Sequence, residues 1–127
     1  MIDHVGLTVS DFKRSRAFYD AALKPLNLVV VAEVTPEQSG GGAHVGYGQE
    51  RGFFWLGSGE RVSGPMHIAF TAERRADVDA FYAAATAAGG KDNGAPGLRP
   101  YYHPDYYGAF VLDPDGVNVE AVCHGPA

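Results

Sequence analysis

Two histidines and one glutamate are the residues of this sequence that best suggest metal chemistry. His4 and His67 each open a segment of alternating apolar residues, and Glu120 lies in an apolar run near the C-terminus. Considered alone, Glu120 is most simply explained as a residue on the solvent-facing side of a strand, because an unpaired carboxylate is costly to bury. Together, two imidazoles and one carboxylate form a set that holds Fe(II) or Mn(II) and leaves coordination positions open.

An internal repeat relates the two histidines. The segment HVGLTVSDFKRSRAFYDAAL, which starts at His4, returns as HIAFTAERRADVDAFYAAAT at His67, with a constant offset of 63 residues. The copies also share the pairs Thr8/Thr71, Ala17/Ala80, Phe18/Phe81, Tyr19/Tyr82, Ala21/Ala84 and Ala22/Ala85. These matches indicate that a strand and a helix were duplicated together. Folding the copies against each other would bring both imidazoles to one place, which favours a metal site.

The composition restricts the class of partner. With 127 residues, 46% of them hydrophobic, the chain is long enough for one domain with an ordinary core. A formal net charge of -5 and scattered Lys and Arg residues argue against a nucleic acid or an anionic membrane as partner. A single cysteine, no leader segment and no long apolar run favour a reducing cytoplasm. We therefore expect a cytoplasmic protein that acts on a small molecule.

The repeated segment predicts where the strands and helices of each half begin. Residues 2–9 alternate, so that Val5, Leu7 and Val9 should face the core while His4, Gly6 and Thr8 face away. The second copy places His67, Ala69 and Thr71 on the equivalent outer face. Ser10 or Asp11 should cap the first helix and Pro25 should end it, and Gly89-Gly90 should end the second.

Each half is completed by strand-like runs. These are residues 28–34, 43–48 and 52–56 in the first half, and residues 106–112 and 117–123 in the second. The Gly-rich segment 35–42 is expected to be a loop, and so is most of segment 92–105, which is rich in Gly and Pro. The pattern predicts an α+β domain over residues 1–127, with a β-α-β-β-β module at 1–57, a linker at 58–65 and a second module at 66–124. Two such units set side by side can close a curved sheet around a hollow.

Aromatic and basic side chains concentrate in the segment PGLRPYYHPDYYGAF. It contains Arg99, Tyr101, Tyr102, His103, Tyr106 and Tyr107. One interpretation is the lip of a pocket, in which the tyrosines form walls with hydroxyl handles and Arg99 anchors a carboxylate or phenolate. His103 and Tyr102 are then candidate catalytic groups, His103 as an acid-base group whose replacement by alanine should reduce turnover and spare metal content. The alternative is that these aromatic rings only cover one end of the sheet.

Trp55 lies in an apolar run with two phenylalanines. Such a run is more often part of a core or a dimer contact than a surface for substrate. Trp55 nevertheless remains a candidate substrate-binding residue, because in a protein that only binds its ligand the indole would be a stacking surface.

The sequence resembles the vicinal oxygen chelate superfamily, which includes glyoxalases, bleomycin-resistance proteins and extradiol dioxygenases. The resemblance covers essentially the whole chain and rests on HVGLTVSD, the AFY motif in both helices, HIAF and the ending DPDGxxxE. It implies paired β-α-β-β-β modules that form a cup-shaped mixed sheet with helices outside. It also implies homodimers, and a metal ion that is held by residues on the first and last strands of each module. The positions of this sequence that match those ligands are His4, His67 and Glu120.

One ligand position of that family is missing. The slot on the last strand of the first module should lie within residues 52–56, and no side chain there can ligate a metal. The resemblance implies four protein ligands for a lactoylglutathione lyase, and two histidines with one glutamate for a ring-cleaving dioxygenase. The residues retained here are the dioxygenase-like set.

Two principal hypotheses follow. The first is a metal-dependent dioxygenase or lyase that acts on a small molecule with adjacent oxygens, using Fe2+ or Mn2+ in preference to Zn2+ or Ni2+. The alternative is a metal-free protein of the bleomycin-resistance type that binds a small molecule without chemistry. A scaffold or interaction dimer is the third interpretation. The apolar slot favours the binder, and the two-histidine, one-carboxylate set favours the enzyme.

Overall fold

Two similar modules follow each other along the chain, and the computed structural model describes all residues 1–127. In the first module the elements are β1 (Val5–Val9), α1 (Phe12–Leu23), a 3-10 turn (Lys24–Leu26), β2 (Val29–Val34), α2 (Pro36–Ser39), β3 (His44–Gly48) and β4 (Gly52–Ser58). In the second they are β5 (His67–Thr71), α3 (Arg75–Ala87), β6 (Lys91–Leu98), β7 (Tyr107–Leu112) and β8 (Asn118–Cys123). The predicted pair of β-α-β-β-β units is therefore confirmed. No helix has the length and apolar character that a membrane crossing requires.

The two modules have the same sheet topology. The strand orders are β1-β4-β3-β2 and β5-β8-β7-β6, each a four-stranded mixed sheet with helices outside. In each module the first strand pairs in parallel with the last, and the remaining neighbours are antiparallel. Two parallel strands must be joined by a long crossover connection. In each module the helix and the two middle strands form this connection between the first strand and the last. The first and last strands of each module consequently lie side by side.

The predicted alternation in the first strand is confirmed, but its start is not. Leu7 and Val9 are buried while Gly6 and Thr8 are exposed. The strand begins at Val5 rather than at residue 2, so His4 lies just before it. The Asp3 carboxylate contacts the His4 ring and Arg51 instead, and residues 1–4 are exposed. The prediction that His4 lies within a strand was wrong, because the residues before Val5 are exposed and His4 bonds to its neighbour Asp3 instead of joining the sheet.

Two segments predicted as loops contain regular structure. Thr35 caps the short helix α2 in a reciprocal arrangement with Gln38, which the glycines that follow did not reveal. Residues 91–98 form β6 although they include Gly94 and Pro96. Two register irregularities against β7 accommodate these residues, and β6 is an edge strand, where a missing backbone donor is tolerated. Pairing with β7 therefore outweighs the local turn propensity.

A hydrogen bond joins the first helix to the last hairpin. The Tyr19 hydroxyl on α1 donates to Oδ2 of Asp113 at 2.6 Å, and Asp113 is only 4% exposed. The other carboxylate oxygen accepts the backbone N–H groups of Asp115 and Val117, each at 2.9 Å. Burial, followed by the nearby Asp113 charge, raises the pKa of the Tyr19 phenol well above its usual value. The phenol therefore remains a donor throughout the ordinary pH range, and the DPDG turn is held to the first module.

Aromatic packing also joins the first module to the second. The rings of Phe54 and Phe70 meet edge to face, with centroids 5.1 Å apart. Helices α1 and α3 also contact each other. Both modules contribute to one core of 23 buried residues. The two sheets are therefore tied together by their helices and by this core.

Replacing Tyr19 with phenylalanine should destabilise the fold. The change removes one donor from a buried carboxylate, so the free energy of unfolding should fall by about 1–3 kcal/mol. Urea denaturation followed by circular dichroism measures this loss.

The matched control is Tyr82→Phe, at the repeat-related position on α3. The pKa of the Tyr82 phenol is raised mainly by Asp92, an exposed residue, so water can take over the interaction of the lost hydroxyl and the loss of stability should be smaller. Equal losses in the two variants would contradict a specific role for the Tyr19–Asp113 bond.

Candidate functional site

His67 and Glu120 form a pair on one face of the second sheet. Parallel pairing of β5 with β8 sets Ala69 opposite Glu120 and His67 opposite Asn118. Because side chains alternate along strands, His67 and Glu120 project from the same face. Nε2 of His67 lies 3.0 Å from Oε1 of Glu120, which is 1% exposed. The solvent-facing interpretation of Glu120 was therefore wrong.

The hydrogen bonds of the His67 ring indicate what lies between the pair. Nδ1 faces the backbone carbonyl oxygen of Asn118 at 3.1 Å, so Nδ1 carries a proton and donates it. In a neutral ring Nε2 then has the lone pair, and this lone pair faces a carboxylate oxygen. Two acceptors at this separation require a cation between them, either a proton or a metal ion. A carbonyl that fixes the tautomer of a ligating histidine is the usual support of such a metal site.

The second oxygen of Glu120 is held by a tyrosine. The Tyr106 hydroxyl donates to Oε2 at 2.5 Å. Burial, then the bond to Glu120, raises the pKa of the Tyr106 phenol above its usual range, so it stays protonated. Gly108 leaves the space this carboxylate needs, because a Cβ there would lie 2.9 Å from Oε2. The Glu120 carboxylate is therefore oriented by a donor on one oxygen and by His67 on the other.

Phe110 and Arg99 border the pair. Register sets Phe110 opposite Glu120, and its ring stacks on that of His67 with centroids 5.9 Å apart. The Arg99 guanidinium carbon lies 5.5 Å from the centroid of the Phe110 ring, and Nη2 donates to the Ala95 carbonyl. Arg99 thus brings a positive charge near the Phe110 ring that stacks on His67.

Two further histidines, His103 and His124, pack against the ring of Tyr106. His103 Nε2 and His124 Nδ1 are 2.7 Å apart, and the two rings stack with centroids 5.0 Å apart. Both rings meet the Tyr106 ring edge to face, at 5.5 Å and 5.3 Å. Tyr102 lies against Tyr106 with centroids 4.8 Å apart and is itself exposed. His103 and Tyr102 are therefore one aromatic ring away from Glu120.

Three other candidate residues lie apart from the pair. His4 bonds to Asp3, and its side chain is 61% exposed. Tyr101 is 74% exposed, at the tip of the aromatic segment. The Tyr107 hydroxyl donates to Asp79 on α3. Because Tyr107 projects to the helix side of the sheet, the structure does not bring it to the His67–Glu120 face.

The third predicted metal ligand is not beside the other two in one chain. No group of three His, Cys, Asp or Glu side chains is placed to hold a metal ion. His4 and His67 do line a common cavity of about 780 Å3 between the first strands of the modules. One chain therefore presents His67 and Glu120 as a pair, and His4 separately.

Trp55 occupies the slot in module one that Glu120 occupies in module two. Register pairs Gly6 of β1 with Trp55 of β4, and Ala69 of β5 with Glu120 of β8. Gly6 and Ala69 are related by the 63-residue repeat. The ligand slot was predicted only as a five-residue range, and the structure identifies its equivalent as this indole.

Several neighbours of the site were not singled out from the sequence. Phe110, Gly108 and the carbonyl of Asn118 contact His67 or Glu120, and only strand register places them there. His124, which contacts His103 and the Tyr106 ring, is a further neighbour that was not predicted as a site residue. The sequence could have identified Phe110 if the last two predicted strands had been paired as an antiparallel hairpin, because this register sets Phe110 opposite Glu120.

Comparison with known proteins agrees with this architecture. The model of the Glyoxalase/Bleomycin resistance protein/Dioxygenase superfamily matches residues 1–121. No curated protein matches the sequence. A glyoxalase/bleomycin resistance protein from Albidiferax ferrireducens is 29% identical, with a TM-score of 0.76 over 95% of this chain and 96% of that one.

More distant structures share the fold alone. The fosfomycin resistance protein FosX from Listeria monocytogenes is 15% identical, with a TM-score of 0.68 over 97% of this chain and 90% of that one. A glyoxalase I variant from Zea mays is 20% identical, with a TM-score of 0.67 over 99% of this chain and 45% of that one. From its paired modules, its strand order and the family match, the chain belongs to the glyoxalase/bleomycin resistance protein/dioxygenase superfamily.

Proposed function

We propose that the protein is a metal-dependent enzyme that acts on a small molecule carrying adjacent oxygen atoms. His67 and Glu120 are two of the ligands and His4 is the third. The observation that carries the proposal is the contact between Nε2 of His67 and Oε1 of Glu120 at 3.0 Å, two acceptors that require a shared cation. Fe2+ or Mn2+ suits one carboxylate with two imidazoles and open positions, and Zn2+ or Ni2+ is the less favoured choice.

The third ligand is proposed to come from a second copy of the chain. His4 lies just before β1, is exposed, and is not beside the His67–Glu120 pair of its own chain. A two-fold symmetric dimer can set the first module of each copy against the second module of the other. Each dimer would then contain two equivalent sites, and each copy would contribute to both.

A divalent cation at this position would act as a Lewis acid toward adjacent oxygens of a substrate. The protein groups around it have separate tasks. Arg99 would attract and orient an anionic oxygen, since its guanidinium is close to the Phe110 ring that covers His67. Tyr106 would keep the Glu120 carboxylate in one orientation through its short hydrogen bond. His103 would exchange a proton with a substrate that extends past Tyr106, and Tyr102 would line that path.

The second candidate function is binding without chemistry. It is favoured by Trp55, an aromatic side chain in the slot that is repeat-related to Glu120. In that case His67 and Glu120 share a proton rather than a metal ion, and the aromatic rings hold the ligand. Metal analysis separates the two functions.

Metal content tests the proposed function directly. Purified protein is reloaded with Fe(II), Mn(II), Zn(II) or Ni(II) in separate samples, freed of loose metal and measured by elemental analysis. We expect near-stoichiometric retention by the native chain and loss in His67→Ala and Glu120→Gln, since each removes a ligand. His44→Ala, a histidine at the start of β3, is the matched control and should retain metal. No retention by the native chain would exclude the metal-dependent function and leave the binder.

A mixing experiment tests whether the site is shared between copies. His4→Ala and His67→Ala chains should each fail to retain metal. Refolded as an equal mixture, they should regain about a quarter of the native content, because random pairing completes that share of sites. No recovery, with both variants folded and dimeric, would mean that each site belongs to one chain.

Tyr106→Phe tests the positioning of Glu120. Loss of the hydroxyl should weaken metal affinity by about 10–100-fold, because the carboxylate loses the donor that orients it. Competition with a chelator measures this change. Tyr107→Phe removes a hydroxyl from the neighbouring residue, whose partner Asp79 lies on α3, and should leave affinity unchanged. An equal effect of both variants would argue against the positioning role.

His103→Ala tests the acid-base assignment. Turnover is assayed on the metal-loaded protein with catechol under oxygen, and then with the hemithioacetal of methylglyoxal and glutathione. We expect a fall of about 100-fold or more on the active substrate with unchanged metal content, because only proton transfer is removed. Unchanged turnover would rule out this role for His103.

A further inference from the structure

A smaller cavity, of about 390 Å3, opens beside His67. It lies where β5 and β8 begin, between the linker that joins the modules and the turn that precedes β8. Its apolar wall consists of Val62, Pro65, Met66 and Val117. His67 and Met66 also line the larger cavity of about 780 Å3. A molecule bound at His67 therefore has both spaces within reach.

Asn118 is the residue that joins this smaller cavity to the His67–Glu120 face. Register sets Asn118 directly opposite His67. Asn118 also lies two residues before Glu120 on β8, so its side chain projects from the same face of the sheet. Its backbone carbonyl accepts the Nδ1–H of His67 at 3.1 Å. The Asn118 amide therefore lies beside the imidazole that we propose as a metal ligand.

Neighbouring contacts determine which hydrogen-bonding group of Asn118 is free. Its Oδ1 accepts a hydrogen bond from Nδ2 of Asn93 on β6 at 3.1 Å. Nδ2 of Asn118 carries two hydrogens and has no partner in the chain. Asp115, the one carboxylate that lines the cavity, already accepts the backbone N–H and the hydroxyl of Ser10. The amide group that the cavity offers to a ligand is therefore a donor.

We propose that Asn118 is a specificity-determining residue that selects chelating substrates with a carbonyl oxygen on a short apolar extension. This inference rests on the proposed function and names a feature of the substrate of the same site. With the adjacent oxygens held beside His67, the extension would enter the smaller cavity, whose wall is mostly apolar. An amide donor there gains from an acceptor oxygen, whereas a plain alkyl chain would displace water from the donor without replacing its hydrogen bond.

Two neutral hydroxamates that differ by one carbonyl oxygen test this preference. Hexanohydroxamate and 5-oxohexanohydroxamate have the same chelating group and the same chain length, and calorimetry measures their binding to the metal-loaded protein. The native protein should bind the oxo compound about three- to tenfold more tightly, the range expected of one neutral hydrogen bond. Equal affinities of the native protein for the two compounds would overturn the assignment.

Substitutions of Asn118 test whether its amide is the donor. Asn118→Leu keeps the backbone carbonyl that His67 needs, so metal content should stay at the native level while the preference falls below twofold. Asn118→Asp exchanges the donor for an acceptor and should lose the preference too. A preference that persists in either variant would contradict the donor role.

Thr71→Val is the matched control. It removes a hydroxyl from the other end of β5, at a residue that lines only the larger cavity, and the preference should stay at the native level. A loss in Thr71→Val equal to that in Asn118→Leu would show that the smaller cavity does not select the carbonyl, and would overturn the proposal.

Metal content separates failure of the selectivity from failure of the proposed function. If metal is retained and the native protein shows no preference, the selectivity fails while the proposed function stands. If no metal is retained, the proposed function fails, and the side-chain amide signal of Asn118 in nitrogen-15 NMR spectra decides. Asn118→Leu identifies this signal by its absence. A shift with the oxo compound alone would support the donor site, and an equal response or no response to the two compounds would overturn it.

Discussion

The buried carboxylate of Glu120 is the constraint around which the second module is arranged. A charge that is 1% exposed within an apolar strand must be compensated locally. The Tyr106 hydroxyl before β7 donates to one carboxylate oxygen, and a cation shared with the His67 ring on β5 would neutralise the other. Gly108 leaves the space that the carboxylate occupies. Each of these depends on strand register, so a slip of one residue in β5 or β7 would leave the charge without partners. The same features that make the carboxylate tolerable also make it a defined cation ligand.

The two modules keep one backbone and divide the chemistry between them. Where the second carries Glu120 with an oriented imidazole, the first carries an indole on glycine backbone. The repeated tyrosine diverges too, since the Tyr19 hydroxyl donates to buried Asp113 while Tyr82 has only an exposed carboxylate, Asp92, near its hydroxyl. Duplication therefore preserved the elements that position a site and left individual side chains free to specialise.

The fold was predictable from the sequence because its signals are periodic and repeated. Alternation gave the inward faces of Leu7 and Val9, and the 63-residue repeat gave two equivalent modules. The prediction failed where pairing outweighed local preference, as in β6, and where a cap formed just before a glycine run, as at Thr35. The proximity of His67 and Glu120 was anticipated as a ligand set. The position of Arg99 over Phe110 and the pairing of His103 with His124 depend on register and loop geometry that spacing alone does not determine.

The bond between Tyr19 and Asp113 has a consequence for the independence of the two halves. The hydroxyl comes from the first helix, and the carboxylate that receives it also accepts the amides of the turn leading into β8. A half-length fragment would lose either the donor or the acceptor, together with the Phe54–Phe70 contact. The duplicated units have thus become mutually dependent parts of one cooperative folding unit. Although the chain arose by repetition, we expect that a single module would not fold stably without the other.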